Sequence, residues 1–261
     1  MATYLDRILA DHRAKAATDD RPLARLLQEA SAVVSPVRGF TAALARAEGL
    51  AVIAEVKRRS PSKGALAPNL DPAVLASDYE AGDATCLSVL TDADWFGGSP
   101  ADLVAARSAV SIPVLRKDFT ITEADICDAR LMGADAVLLI AAALDDAELA
   151  AFHEMARELS LDVLVEIHDE VELERAMVVG ASLIGVNQRD LVTFEVDTDR
   201  AVRMAPQMPA GVVRVAESGV RGVLDASRLA EAGYHAVLVG ESLLMAGDAA
   251  AEVASLRSVG R

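Results

Sequence analysis

Aromatic side chains are scarce in this sequence, which limits how its core can be built. Phenylalanine, tryptophan and tyrosine make up 3% of the chain, whereas hydrophobic residues make up 52%. The interior must therefore consist mainly of valine, leucine, isoleucine and alanine, the composition typical of parallel strands covered by helices. The length of 261 residues is close to the about 250 residues of a single eight-stranded α/β barrel.

Positive charge is also in short supply. The chain has 25 lysines and arginines against 40 aspartates and glutamates, a formal net charge of −15. Because the overall field repels polyanions, nucleic acid and an anionic membrane surface are poor candidates for partners. An anionic ligand of this protein must be small and held locally.

The sequence has few cysteines, and it shows neither the pattern of a signal peptide nor a long apolar run. Cys86 and Cys127 lie within apolar or helical patterns and do not have the spacing of a disulfide framework. The opening MATYLDRILADHRAK has no basic segment followed by an uncharged apolar run, so it predicts an amphipathic helix and not a signal peptide. No apolar run reaches the roughly eighteen residues that a membrane helix needs. We expect a soluble cytoplasmic protein with reduced thiols.

Short runs of branched aliphatic residues recur at near-regular intervals. They predict strands at residues 51–57, 86–92, 113–119, 136–142, 162–168, 183–189, 212–218 and 236–242. Amphipathic stretches of helical period lie between them, several beginning with an aspartate or threonine suited to an N-cap. We expect the glycines that end four of these stretches to be left-handed caps; they are Gly82, Gly133, Gly180 and Gly233.

Eight strand–helix units predict a right-handed parallel array closed into a (β/α)8 TIM barrel. An open doubly wound sheet is the alternative. It would favour about five to seven strands and a glycine-rich first turn, and VKRRSPSKG after the first strand does not match G-x-G-x-x-G. Helix-like runs in residues 1–50 predict an N-terminal helical extension packed on a barrel of residues 51–261, the two forming one structural domain.

Polar side chains close several predicted strands, at the end where such barrels place their active sites. They are Glu55, Lys57, Lys117, Asp118, Glu166, His168, Asn187, Arg189, Glu217 and Ser218. Residues two apart on a strand share a face, which pairs Glu55 with Lys57 and Glu166 with His168. Ion pairs that only close the barrel top are the alternative, although desolvation makes burying so many charges a poor route to stability.

Two later loops predict an anion site. AESGVRG and VGESLL place Ser218, Gly219, Gly240 and Glu241 after the last two strands, where barrels often bind phosphate through backbone N–H groups and a short helix. Each loop alone could be a simple turn, but on adjacent strands they favour phosphate. The first loop, KRRSPSKG, adds Ser60 and several cations, or is a solvated mobile segment.

Other catalytic patterns are missing from the sequence. The histidines show no H-x-x-x-H spacing and the cysteines are not paired, so a metal site lacks a ligand set. No G-x-S-x-G elbow or P-loop is present. His168 fits a rim or structural histidine better than a base. Trp95 and Phe96 could wall an aromatic pocket or simply pack down.

Eight segments, in order over about residues 51–245, resemble signatures of the indole-3-glycerol phosphate synthase family. They are AEVKRRSPSKG, SVLTDADWFGGS, PVLRKDF, ADAVLLI, VEIH, GVNQRDL, AESGV and VGESLL. The resemblance implies ring closure of 1-(2-carboxyphenylamino)-1-deoxyribulose 5-phosphate to indole-3-glycerol phosphate, with loss of carbon dioxide and water, in tryptophan biosynthesis. It implies a small phosphorylated substrate, no cofactor and no metal, and it leaves room for other enzymes of that pathway as partners in trans.

The resemblance also implies roles for individual residues. Lys117 would be the general acid, Glu166 a base or a partner of the leaving hydroxyl, and Lys57, held by Glu55, would grip the substrate carboxylate or assist proton transfer; the division between the two lysines stays open. Gln188 departs from the family pattern, which has asparagine or a small residue there. The remaining roles are substrate and lysine orientation by Asn187 and Glu217, phosphate binding by Ser60, Ser218, Gly219, Gly240 and Glu241, flanking of the anthranilate ring by Phe96 and Phe119, and a rim position for Arg189.

Rival functions fit some of the same features. A sibling phosphate-binding barrel such as phosphoribosylanthranilate isomerase would need a cysteine or aspartate acid–base pair at strand ends, yet Cys86 begins its strand. An aldolase would form a Schiff base on Lys57 or Lys117. A non-catalytic phosphate sensor or scaffold subunit is the third alternative, and the intact Lys117, Glu166 and Asn187 argue against it.

Overall fold

Parallel strands that alternate with helices close into a barrel in the computed structural model, which describes residues 3–61, 63–190, 193 and 195–260. The strands are β1 (Ala51–Val56), β2 (Arg59–Ser60), β3 (Gly64–Ala65), β4 (Cys86–Leu90), β5 (Val114–Lys117), β6 (Ala136–Ile140), β7 (Asp162–Ile167), β8 (Leu183–Asn187), β9 (Val213–Glu217) and β10 (Ala236–Val239). The closed order is β1-β10-β9-β8-β7-β6-β5-β4, and every pair in it is parallel. The predicted (β/α)8 barrel is confirmed, and the open sheet is wrong.

Helices cover the barrel. They are α1 (Tyr4–Ala16), α2 (Leu23–Ser31), α3 (Phe40–Arg46), α4 (Pro72–Ala81), α5 (Pro100–Ala109), α6 (Glu123–Met132), α7 (Asp146–Glu158), α8 (Glu170–Val178), α9 (Arg200–Met204), α10 (Val223–Glu231), α11 (Glu241–Met245) and α12 (Ala249–Arg257). The expected N-caps form: Asp71, Thr122, Asp145 and Asp169 each accept a backbone N–H of their helix's first turn. Among the helices that the structure describes, none is both long and apolar enough to cross a membrane.

Three of the four glycines expected to be left-handed caps have that conformation. Gly133, Gly180 and Gly233 have φ of 85°, 75° and 91°. The expectation for Gly82 is wrong, because its φ is −81° and the positive φ belongs to Asp83. Glycine is needed at this position for another reason, since a Cβ there would lie 2.4 Å from the carbonyl oxygen of Ala250 in α12.

The helices before β1 contact opposite ends of the barrel. At the amino-terminal end of the strands, Phe40 and Leu44 of α3 are fully buried, and the backbone N–H of Thr41 donates to Asp162 at the start of β7. At the other end, α1 is held by His12, whose Nε2 lies 2.9 Å from Asp92 Oδ2, just beyond β4. This contact brings α1 over the carboxyl ends of the strands.

Candidate active site

A cavity of about 580 Å³ lies at the carboxyl ends of the strands. Its wall contains every residue that the sequence nominated for catalysis or binding. These residues are Glu55, Lys57, Ser60, Phe96, Lys117, Phe119, Glu166, Asn187, Arg189, Glu217, Ser218, Gly219, Gly240 and Glu241. Parallel strands all end on the same side of a barrel, which is why positions so far apart in the chain converge.

Lys117, the last residue of β5, lies near the centre of the charged groups. Its Nζ is 3.7 Å from Glu166 Oε2 and 4.0 Å from Glu217 Oε2. Burial lowers the pKa of this lysine, but the neighbouring carboxyl groups, Glu166 above all, raise it by more, so the pKa of Lys117 is raised overall. Lys117 is therefore an ammonium ion across the physiological pH range.

Glu55 and Lys57 form the second ion pair, with Lys57 Nζ donating to Glu55 Oε1. Burial raises the pKa of Glu55, and the positive charges of Lys57 and Lys117 outweigh that effect and lower it. Glycine at position 240 makes room for this pair, because a Cβ there would lie 2.6 Å from Glu55 Oε1. The expected contact between Lys57 and Glu55 is confirmed.

Asn187 orients Glu166. The Nδ2 of Asn187 donates to Glu166 Oε1 over 3.0 Å, while its Oδ1 accepts the backbone N–H of Arg189 over 3.0 Å. Both donor and acceptor of the amide are thus used. Glu166 Oε2 accepts no hydrogen bond from the described residues, and the Lys117 ammonium lies 3.7 Å from it.

Glu217 carries the most perturbed carboxyl group of the cavity. Burial and the neighbouring negative charge of Glu166 raise the pKa of Glu217 well above its usual range, although Lys117 opposes them. Gly185 in β8 creates its space, since a Cβ at that position would lie 2.0 Å from Glu217 Oε1. Sequence reasoning missed Gly185, although a glycine inside a strand often marks a close approach.

The loop after β9 has the shape expected of an anion site. Ser218 and Gly219 both have positive φ, of 65° and 79°, and both line the cavity. Gln188, which follows Asn187 directly, is buried and donates from Nε2 to the Ser218 carbonyl over 2.7 Å. This bond shows what a longer amide side chain does at that position: it holds the left-handed turn.

The described residues of the first loop contact each other, α5 and the start of α11. It forms the short antiparallel pair of β2 and β3, which sequence reasoning did not predict. Arg58 is tied to Asp102 of α5 and donates to the Leu70 carbonyl over 3.1 Å, away from the cavity. Lys63, by contrast, lines the cavity, and its Nζ lies 3.1 Å from Oε1 of Glu241, which follows the neighbouring strand β10.

The other wall of the cavity is apolar. The rings of Phe96 and Phe119 lie 6.4 Å apart between centroids. Trp95 does not line the cavity; it packs edge-on against Tyr4 with centroids 6.3 Å apart. Tyr4, Leu5 and Ile8 of α1 extend this wall. Sequence reasoning missed these three, because an amphipathic pattern predicts an apolar face but not the surface that it covers.

One group of side chains has the composition of a metal site. Ligand atoms of His12, Asp92 and Asp118 lie within 4.8 Å of one another. Each carboxylate is already satisfied by protein donors: Asp118 binds Thr91 and Arg116, and Asp92 accepts the backbone N–H of Trp95 over 2.6 Å in addition to its contact with His12. The group is arranged as a structural polar cluster beside Phe119.

The fold and the cavity together define a TIM-barrel enzyme whose cavity holds buried lysine and glutamate side chains between an apolar wall and the turn of Ser218 and Gly219. The family model described as indole-3-glycerol phosphate synthase matches residues 5–256. The chain therefore belongs to the indole-3-glycerol phosphate synthase family, whose members are carboxy-lyases of tryptophan biosynthesis and act on a small phosphorylated substrate.

Individual relatives agree with the family match. Indole-3-glycerol phosphate synthase 1 of Streptomyces coelicolor is 50% identical over 252 residues, covering 97% of this chain and 91% of that protein. The indole-3-glycerol phosphate synthase of Mycobacteroides abscessus is 49% identical over 258 residues, covering 99% and 95%. Thiamine phosphate pyrophosphorylase from Pyrococcus furiosus shares the fold, with a TM-score of 0.59 at 14% identity over 80% of this chain and 93% of that one.

Proposed function

We propose that this chain closes the indole ring of 1-(2-carboxyphenylamino)-1-deoxyribulose 5-phosphate, giving indole-3-glycerol phosphate, carbon dioxide and water, with Lys117 as the general acid. The observation that carries this proposal is the position of the Lys117 ammonium, 3.7 Å and 4.0 Å from two buried carboxylates on the wall of the cavity. Those distances exceed hydrogen-bond length. The N–H groups of Lys117 are therefore available to a ketone oxygen.

In the first step, the anilino ring carbon attacks the ketone carbon and a carbon–carbon bond forms. The carbonyl π electrons move to oxygen, which takes a proton from Lys117 and becomes a hydroxyl group. The ring carboxylate then leaves as carbon dioxide, and its bonding electrons restore the ring. Lys57 is proposed to bind the carboxylate during this sequence, because the contact with Glu55 fixes the position of its ammonium.

In the second step, the hydroxyl group leaves as water. The hydroxyl group takes a proton from Lys117, once water has reprotonated the lysine, and the adjacent carbon gives a proton to Glu166 as the ring double bond forms. Glu166 is proposed as this base, supported by the fixed Asn187 contact on Oε1 and by an Oε2 that accepts no hydrogen bond from the described residues. Glu217 lies on the other side of Lys117 and is proposed to orient the substrate hydroxyls and the lysine.

The two ends of the cavity suit the two ends of the substrate. Phe96 and Phe119 are proposed to flank the anthranilate ring, and a phosphate is proposed to bind at the loop of Ser218 and Gly219. The remaining proposed phosphate contacts come from Ser60, Gly240 and Glu241, with Arg189 at the rim. The backbone of the Ser218–Gly219 turn and the ammonium of Lys63 support the placement of the anion at this end.

Three further statements belong to the proposal. The free, buried thiols of Cys86 and Cys127 support a cytoplasmic location. Residues 1–50 are proposed to be an extension of the barrel domain, supported by the burial of Phe40 and Leu44 against it. Other enzymes of the same pathway are proposed as partners in trans.

The direct test supplies the carboxyphenylamino deoxyribulose phosphate to the purified protein and follows indole fluorescence. We expect emission to grow with this substrate and to stay flat with phosphoribosylanthranilate, the isomerase substrate. Borohydride added during turnover should leave no covalent adduct on Lys57 or Lys117. A flat trace with the first substrate, or a trapped adduct, would remove the proposed mechanism.

A further inference from the structure

His168 lies immediately after β7, two residues beyond Glu166, and does not line the cavity. Its imidazole bridges two carboxylates. The Nδ1 atom is 3.1 Å from Glu172 Oε2, and the Nε2 atom is 3.6 Å from Glu166 Oε1. Only 12% of the side chain is exposed. His168 is thus connected to the proposed base on its side away from the substrate.

Glu172, three positions after the N-cap of α8, makes a different contact from its counterparts in three other helices. In α1, α6 and α7, the acidic residue three positions after the N-cap accepts the backbone N–H of the cap itself. In α8 the N-cap Asp169 accepts the backbone N–H of Glu172 in the usual way. The Glu172 carboxylate, however, accepts the backbone N–H of His168 over 2.7 Å and faces its ring. Asp225 makes the same backbone contact with Arg221 ahead of α10, and Glu172 adds to it the contact with the His168 ring.

The charges around His168 favour a protonated ring. Burial lowers the pKa of His168, and the hydrogen bond to Glu172 and the charge of Glu166 raise it by more, against a smaller lowering by Arg200 of α9. Arg200 is itself engaged, donating from Nη1 to the Asn187 carbonyl over 3.0 Å. The Nε2 atom has no hydrogen-bond partner among the described residues, so an N–H there faces only Glu166.

We propose that His168 is a positioning residue for the base: an imidazolium, held by Glu172, that keeps Glu166 ionised and ready to accept a proton. The inference rests on the proposed role of Glu166. If the ring were neutral, with Nδ1–H kept on Glu172, the Nε2 lone pair would face the carboxylate and favour a protonated Glu166. A carboxyl group that already carries a proton cannot act as the base.

The test is the pH dependence of kcat for His168→Gln, which removes the positive charge and keeps a polar amide. An opposite charge within about 4–6 Å lowers a carboxyl pKa by about 1–3 units. We therefore expect the acidic limb of the kcat profile to move up by about one pH unit. The variant should be about tenfold slower than wild type on that limb, should converge with it above the limb, and should keep its KM. Glu172→Gln should move the limb in the same direction by less.

The matched control is His153→Gln. His153 is also buried, but it lies on α7, and burial among its helix neighbours lowers its pKa; its profile should coincide with that of wild type. An unmoved limb in His168→Gln, or a loss of kcat equal at every pH together with a lower melting temperature, would show that His168 only supports the helix end and would overturn the inference. Wild-type protein without any turnover would instead overturn the proposed function and the inference with it.

A measurement on the wild-type protein covers the case in which His168→Gln does not fold. The nitrogen resonances of histidine rings report their protonation directly. The His168 signal can be assigned as the one that is shifted or absent in the spectrum of Glu172→Gln. We expect the His168 ring to stay protonated above the ordinary histidine pKa of 6.5. A His168 ring that is already neutral at pH 5.5 would overturn the proposal.

Discussion

Lys117 and Glu217 meet across the axis of the barrel. They end β5 and β9, which are four strands apart in either direction around the closed sheet, yet Nζ of the lysine lies 4.0 Å from Oε2 of the glutamate. A contact between opposite strands exists only where the barrel is closed and its layers are filled by inward side chains. This cluster of lysine and glutamate side chains therefore depends on the whole barrel and not on any one loop.

Replacing Lys117 tests the general acid. Lys117→Arg keeps the positive charge among the three carboxylates but has no proton that it can release, and Lys117→Ala removes both. We expect both variants to bind substrate and to lose about 10² to 10⁴ in kcat, measured by indole fluorescence. Lys15→Arg, on the exposed face of α1, is the control and should behave as wild type. A Lys117→Arg variant with most of its kcat would show that another group donates the proton.

Replacing Glu217 tests its perturbed ionisation through stability. The folded protein holds a proton on Glu217 well above the ordinary carboxyl pKa of 4.5, whereas the unfolded chain releases it near that value. Stability must therefore fall as pH rises from 4.5 toward the folded-state pKa, by up to about 1.4 kcal/mol per pH unit. Glu217→Gln removes this loss.

The measurement is urea unfolding at pH 5 and pH 8. We expect the stability of Glu217→Gln relative to wild type to be greater at pH 8 than at pH 5. Glu231→Gln on the exposed face of α10 should show no such difference. Equal gains at the two pH values would mean that Glu217 is ionised in the folded protein.

The Ser218–Gly219 turn can be tested with Gly219→Ala. A Cβ there would lie 2.6 Å from Val196 Cγ1, at a φ of 79°, and left-handed backbone costs an ordinary residue about 1–2 kcal/mol. Because the phosphate is far from the bonds that change, KM should rise about tenfold while kcat stays within about threefold. Gly222→Ala is the control, since a Cβ there meets nothing within 4 Å. An unchanged KM would place the phosphate elsewhere.

Gly82 and Gly180 both follow helices, but replacement by alanine should destabilise the protein by different amounts at the two positions. Gly82→Ala would force a methyl group to within 2.4 Å of the Ala250 carbonyl, whereas Gly180→Ala meets nothing within 4 Å and bears only its φ of 75°. We expect Gly82→Ala to lower the free energy of unfolding by about 2–3 kcal/mol and Gly180→Ala by about 1 kcal/mol. Urea denaturation of the two variants measures this order, and the reverse order would mean that α12 moves aside at little cost.

Much of the fold was predictable because its signals are local. Branched aliphatic runs locate each barrel strand, and Thr122 and Asp145 locate helix starts, from short windows of sequence. The candidate site was predictable for a related reason: Lys117, Glu166 and Glu217 each end a strand, and a barrel brings strand ends together. Residues that are distant in the sequence can therefore be assigned to one cavity from their positions at strand ends alone.

The features that escaped prediction depend on partners distant in the chain. Gly185 looks like a weak strand residue until Glu217 Oε1 is found beside it. Gly82 was expected to be a left-handed cap, because nothing near it reveals the approach of Ala250 in α12. The short hairpin of β2 and β3 has too few residues for a periodic pattern, so it too needed the structure.

The position of α1 has a practical consequence for making and assaying the protein. Tyr4 and Leu5 form part of the cavity wall, so an affinity tag joined to the amino end would emerge beside the substrate entrance. Val259, near the other end, accepts the backbone N–H of Leu50, just before β1 begins, at the opposite pole of the barrel. A tag or immobilisation anchor at the carboxyl end leaves the entrance open.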